Sequence, residues 1–207
     1  MTNLTATDNV TKHFDSDDYL DNNATSFFAL KSYDDFVDIT EKTLQKTLSL
    51  MEANPKFLQL SEDEITNMLC VSLRMAGINA EHDSMEGGHA DIVVKNLRHK
   101  WLAEAKIKDD TYQYSWLWDG FMQLTERYAT NTAGSNKAGF VIYIKQPNSK
   151  RVMERWQQHM ANSSGYKFEF GDSPHPHSFI STHTHTRFGD NCHVTHFALS
   201  AYFNPVK

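Results

Sequence analysis

Residues 89–108 read HADIVVKNLRHKWLAEAKIK, and the way this stretch is parsed decides the fold. Two short runs, 90–95 (ADIVVK) and 101–107 (WLAEAKI), are β-branched or alternating, and Asn96-Leu97-Arg98-His99 separates them. That pattern predicts a β-hairpin. With Leu97-Arg98 as a two-residue turn, Asn96 faces His99 and Asp91 falls directly opposite Glu104. Opposed residues share a face of the sheet, and so do residues two apart in one strand. The hairpin therefore gathers Asp91, Glu104 and Lys106 into one patch, which a slip of one residue would scatter.

Outward from the hairpin, helical periodicity returns on both sides. Upstream, apolar positions Phe36, Val37, Ile39, Leu44, Leu48 and Met51 predict a helix over 34–53, with Pro55 just past its end. A second helix starts at Ser61, where Ser61-x-x-Glu64 is a capping-box signature, and runs to Gly77. Downstream, 114–130 is helical in pattern, 133–137 is a loop, and 139–144 (GFVIYI) is a strand of the buried kind. A helix over 149–162 and strands at 166–170, 178–182 and 194–203 follow. Residues 1–32, rich in Asp, Asn, Thr and Ser, read as a polar arm with a short element near 27–30. The expectation is one domain over 33–207 with a β-rich C-terminal extension: an α/β fold with a mixed central β-sheet flanked by helices.

Composition bounds the function. The chain has 207 residues, enough for one ordinary domain, and 40% of them are hydrophobic, enough for a normal core. No apolar run approaches the roughly 20 residues that cross a bilayer. The N-terminus lacks the basic start and apolar stretch of a signal peptide, and two cysteines without a CxxC make no disulfide framework. These features predict a cytoplasmic protein with no membrane partner. The formal net charge of −6 excludes a histone-like basic binder but not a local basic cleft. Acid dominates before residue 65, whereas Lys95, Arg98, Lys100, Lys106 and Lys108 face only Glu104 between 95 and 108.

Two opposed carboxylates beside a lysine destabilise a sheet unless positive charge lies between them. An oxygen-loving divalent cation supplies it, and Mg²⁺ typically takes one or two carboxylates, keeping waters and phosphate oxygens for its other positions. A neighbouring lysine can orient or help deprotonate an attacking water. The chemistry that suits this patch is phosphodiester hydrolysis.

In order, the chain carries Glu64 on a helix, Asp91 in Gly88-His89-Ala90-Asp91, Glu104-Ala105-Lys106 on the next strand, and then a helix with Gln123 and Arg127-Tyr128 in QLTERY. This set resembles the PD-(D/E)XK, or restriction-endonuclease-like, nuclease core over about residues 61–145, with Ala90 where the family name has proline. The resemblance implies a restriction-endonuclease-like fold and Mg²⁺-dependent cleavage of nucleic acid, usually DNA, with Mn²⁺ able to substitute. It implies Asp91 and Glu104 as metal ligands, the Ala105 carbonyl as a further ligand, Glu64 completing the acidic site, and Lys106 at the water. Gln123 joins the site as a polar contact. Stand-alone members are often bacterial or phage proteins of restriction, repair or defence, and many form homodimers or higher oligomers.

Each assignment has a plainer counterpart. Glu64 can act only as a cap, with Glu62 then the acidic residue of that helix. Gln123 and Arg127 can be one polar face, and Tyr112, Tyr114, Trp116 and Trp118 are either core aromatics or base-stacking rings. The strand at 194–203 either closes the sheet or serves an interface. Two further functions compete: a catalytically silent nucleic-acid-binding or assembly subunit of the same fold, and a metal binder built on the His-rich last third around His175, His177, His183, His185, His193, His196 and Cys192.

Overall fold

The hairpin forms in the expected register: β2 (His89–Asn96) runs antiparallel to β3 (His99–Lys108), with Asn96 opposite His99 and Ile92 opposite Ala103. The computed structural model describes residues 30, 32–54, 56, 59–85, 89–96, 99–128, 136–185 and 189–204. Leu97 and Arg98, almost all of the 1–32 arm including the element near 27–30, and most of the 133–137 loop lie outside these residues.

Helix α1 (Tyr33–Glu52) is capped by Ser32, whose side chain accepts from the Asp35 N–H. Helix α2 (Glu62–Met75) starts with the full capping box on Ser61 and Glu64 and stops at Gly77, which adopts φ +83°. β1 (Ala80–Met85) then adds antiparallel to the outer edge of β2. Helix α3 (Tyr114–Met122) continues as a π-helix over Gln123–Tyr128, a wider coil than the α-helix expected across 114–130. β4 (Lys137–Ile144), α4 (Ser149–Ala161), β5 (Glu169–Asp172), β6 (Phe179–Thr184) and β7 (Asn191–Ser200) complete the described elements.

The seven strands form one mixed sheet in the order β1-β2-β3-β4-β7-β6-β5. β4 is parallel to both β3 and β7, so the expected C-terminal extension supplies a central strand and one whole edge of the same sheet. Helices α1 and α2 cover one face, where Phe36, Leu44, Leu48, Ile65, Leu69 and Leu73 pack on Trp101, Ala103, Val141, Tyr143 and Phe197. Helices α3 and α4 cover the other, where Leu117, Phe121, Val152 and Trp156 pack on Leu102, Phe140, Ile142 and Val194. Strands buried on both faces read as continuous apolar runs, as residues 139–144 do. Among the described residues no helix is long and apolar enough to cross a membrane.

Candidate active site

In the middle of this apolar sheet, β3 carries three charged side chains that are almost fully enclosed, Glu104 at 2%, Lys106 at 7% and, at its C-terminal end, Lys108 at 5% exposure. Charges are rarely buried this deeply unless paired. The pairing comes from the local geometry of the hairpin. The ladder between β2 and β3 ends at Ile92 and Ala103, and beyond it the Ala105 N–H donates to Asp91 Oδ2 at 2.8 Å. One step further, the Ile107 N–H donates to Glu62 Oε2 at 2.7 Å. Two carboxylates thus continue the ladder where the backbone of β2 leaves it, which fixes both acids against β3.

The Lys106 ammonium stands among the acids. Its Nζ lies 2.7 Å from Glu104 Oε1, 3.4 Å from Glu62 Oε1 and 3.5 Å from Asp91 Oδ2, and donates to the Ala105 carbonyl at 3.0 Å. Three carboxylates around one ammonium leave a surplus of negative charge. Burial pushes the Glu104 carboxyl up to about 7, reinforced by Asp91 and opposed by Lys106. Burial also raises Glu62, against the pull of Lys106. For Lys106, burial opposes the charged form, but Asp91, Glu104 and Glu62 outweigh it and raise the pKa. The lysine is therefore held as a cation that donates hydrogen bonds, not as a base.

Among the described residues, Glu104 Oε2 is buried with no hydrogen-bond partner. A buried carboxylate oxygen without a donor costs free energy unless something positive completes it. The surrounding donors are all oxygen: carboxylates of Asp91, Glu104 and Glu62, and the Ala105 carbonyl. That set suits a hard divalent cation such as Mg²⁺. Among the described residues no group of three or more His, Cys, Asp or Glu side chains is already placed to hold a metal ion.

On the second helix, Glu62 lies among the acids around Lys106 and Glu64 lies at the helix cap. Glu64 Oε2 accepts from the Ser61 N–H at 2.9 Å and the Ser61 hydroxyl at 2.6 Å, and the residue is exposed. The helical period separates them: Glu62 lies three and four residues before the buried Ile65 and Thr66, on the inward stripe, whereas Glu64 is turned off it. Gln123 opens the π-helical turn and is half-buried, and no hydrogen bond among the described residues ties its side chain to the cluster. The side chains of Arg127 and Tyr128 lie outside the described residues.

Two residues of α3 touch the lysine: Gly120, which spacing did not single out, and Trp116, one of the four aromatics named from the sequence. Gly120 packs so tightly on the Lys106 stem that a Cβ there would lie 2.7 Å from Cε and 2.8 Å from Cγ. The Trp116 ring centroid lies 5.7 Å from Lys106 Nζ. A lone glycine in a helical pattern signals close packing, but its partner is set by the crossover from β3 to α3.

Among the described residues the histidines and Cys192 form no group of three or more that could hold a metal ion. His196 is fully buried, accepts at Nδ1 from the Trp156 indole N–H at 3.1 Å, and pairs Nε2 with the Ser181 hydroxyl at 2.8 Å. Burial drives its pKa down to about 3, with His183 adding to the effect, so the ring is neutral. His193 pairs with Thr182 at 3.0 Å, and His177 sits in a turn at φ +53°. The chain matches no protein-family model, no curated protein and no solved structure.

Proposed function

We propose that this protein is a metal-dependent endonuclease of the PD-(D/E)XK type that hydrolyses phosphodiester bonds in nucleic acid, with DNA the first substrate to test. One observation carries the reading: a buried lysine encircled by the carboxylates of Glu62, Asp91 and Glu104, with one Glu104 oxygen left over. A purely structural ion pair has no use for two extra acids. Asp91, Glu104 and the Ala105 carbonyl would hold Mg²⁺ or Mn²⁺. A bound divalent cation supplies a water of lowered pKa and neutralises charge that builds on the phosphoryl oxygens.

The chain's own residues do the rest. Lys106, held by Glu62, Glu104 and the Ala105 carbonyl, brings its positive charge to the attacking water and to the developing negative charge. Asp91 and Glu62, anchored on the Ala105 and Ile107 amides, keep the acids from shifting when a phosphate enters. Glu64 has no part in the chemistry beyond starting α2.

The test is incubation of purified protein with supercoiled plasmid in Mg²⁺ or Mn²⁺, beside an EDTA control and a Lys106→Ala variant. Metal-dependent nicking or linearisation that drops by about 10²–10³-fold or more in the variant supports the site. Cleavage that survives Lys106→Ala overturns the assignment of these residues. No cleavage of plasmid, single-stranded DNA or RNA points instead to the silent binding or assembly subunit.

A further inference from the structure

We infer that Tyr112 and Trp116 form a stacking platform for an unpaired base beside the Lys106 cluster, so that the strand the site acts on is single-stranded or locally unpaired nucleic acid. The nature of the ligand rests on the nuclease reading; the platform itself rests on geometry.

Four aromatics lie between Tyr112 and Trp118, and the structure sorts them. Trp118 packs inward, its ring 5.8 Å from Phe121, 5.6 Å from Tyr166 and 6.1 Å from Phe168. Tyr114 donates its hydroxyl to the Val152 carbonyl at 3.3 Å and stacks on His159. Those two belong to the packing between α3 and α4. Tyr112 and Trp116 instead stack on each other, with centroids 5.2 Å apart and planes 24° from parallel, and remain 40% and 38% exposed. Exposed apolar rings held in one orientation are surface that a partner can cover.

Their location identifies the partner. The Trp116 ring stands 5.7 Å from Lys106 Nζ, so whatever joins the stack lies beside the catalytic cluster. The loop that presents Tyr112 is fixed in advance, because Asp109 Oδ1 accepts from the Thr111 N–H at 2.8 Å and the Tyr112 N–H at 2.9 Å. A fixed ring gives up little freedom on binding. Geometry argues against a stacked duplex as the ligand, because each base face there is already covered by its neighbours. Base–aromatic stacking needs no net charge and requires a base free of its neighbours.

The experiment uses the whole protein with Ca²⁺ in place of Mg²⁺, titrated with a short oligothymidylate and separately with a blunt duplex of equal length. Trp101 and Trp156 are fully buried and Trp118 is half-buried, so quenching of tryptophan emission reports chiefly on Trp116. Saturable quenching by the single strand, weaker binding of the duplex, and about 5- to 100-fold weaker binding of a labelled single strand by Trp116→Ala are expected. Trp116→Phe, which keeps a stacking face, restores binding to within a few-fold of the parent. Equal affinity of parent and Trp116→Ala for the single strand overturns the platform, as does equal or tighter binding of the duplex. A change of oligomeric state in Trp116→Ala on gel filtration also overturns it, by making the pair a contact between copies. Cleavage in Mg²⁺ is scored separately: quenching without cleavage of any substrate leaves the platform standing and sinks the nuclease reading, and cleavage without quenching does the reverse.

Discussion

Glu104, buried within the sheet, and Glu41, half-buried beside it, have pKa values displaced alike. Glu41, on α1, and Glu104, on β3, are each pushed up to about 7, with burial the leading cause in both. Their surroundings differ. Glu41 accepts at Oε1 from the Trp101 indole N–H at 3.2 Å and at Oε2 from the Thr195 hydroxyl at 3.0 Å, so both oxygens are used by neutral donors within the fold. Glu104 has a cation on one oxygen, no hydrogen-bond partner among the described residues on the other, and two further carboxylates beside it. A perturbed pKa therefore does not separate structure from function here. Completeness of hydrogen bonding and local balance of charge do.

The largest effect that tests this contrast is the pH dependence of stability. The folded pKa of Glu41, about 7, lies above its ordinary value of 4.5, so the native state holds a proton that the unfolded chain has released. That stabilisation is fully present below about 4.5 and is lost as pH rises through about 7. Thermal melts across this window should show the parent losing about 3 kcal/mol relative to Glu41→Gln, whose amide can still pair with Trp101 and Thr195. Plasmid cleavage by Glu41→Gln should match that of the parent at a fixed pH below its melting transition. A flat difference between the two melts would mean that Glu41 is not held protonated. A loss of cleavage would move this glutamate into the chemistry.

A somewhat smaller effect is expected on the Glu104 side, from the packing that holds Lys106. An added methyl in Gly120→Ala meets the Lys106 stem well inside contact distance, and the ammonium is pinned by its three acids, so the stem has little room to yield. Displacing a catalytic group by about 1 Å costs about 10²-fold in rate. The expected result is a drop in turnover of that order, with a melting temperature reduced only modestly and substrate affinity nearly unchanged. Unaltered turnover would show that the cluster tolerates movement and is less preorganised than its geometry suggests.

What was legible in the sequence divides along physical lines. The hairpin register could be read because the side-chain period of two and a two-residue turn leave a single pairing that buries Ile92, Val94, Trp101 and Ala103 together. The start of α2 could be read because a capping box is a local motif. β1 could not: AEHDSM lacks a β-branched residue, and β2 provides its pairing. The place of β7 beside β4 is equally non-local, for its apolar run fits a central strand or an interface. The contact of Gly120 with Lys106 depends on the crossover that returns α3 over β3, which no spacing reveals.

The choice between Glu62 and Glu64 was within reach, and it yields the smallest expected effect. Residues three and four apart share a helix face, so the stripe of Ile65, Thr66 and Leu69 points back to Glu62. The family pattern and the capping box both draw attention to Glu64. Glutamine serves as well as glutamate at the third position of a capping box. Glu64→Gln should therefore leave melting temperature and cleavage unchanged, whereas Glu62→Gln should depress cleavage by removing a charge that holds Lys106. Glu62 meets both Lys106 Nζ and the Ile107 amide, and among the described residues Glu64 hydrogen-bonds Ser61, so a loss of cleavage in Glu64→Gln with Glu62→Gln silent would reverse the two roles. It would also require α2 to turn about its axis when substrate binds, bringing the capping acid inward and exposing Ile65, which is now fully buried, at a cost in buried apolar surface.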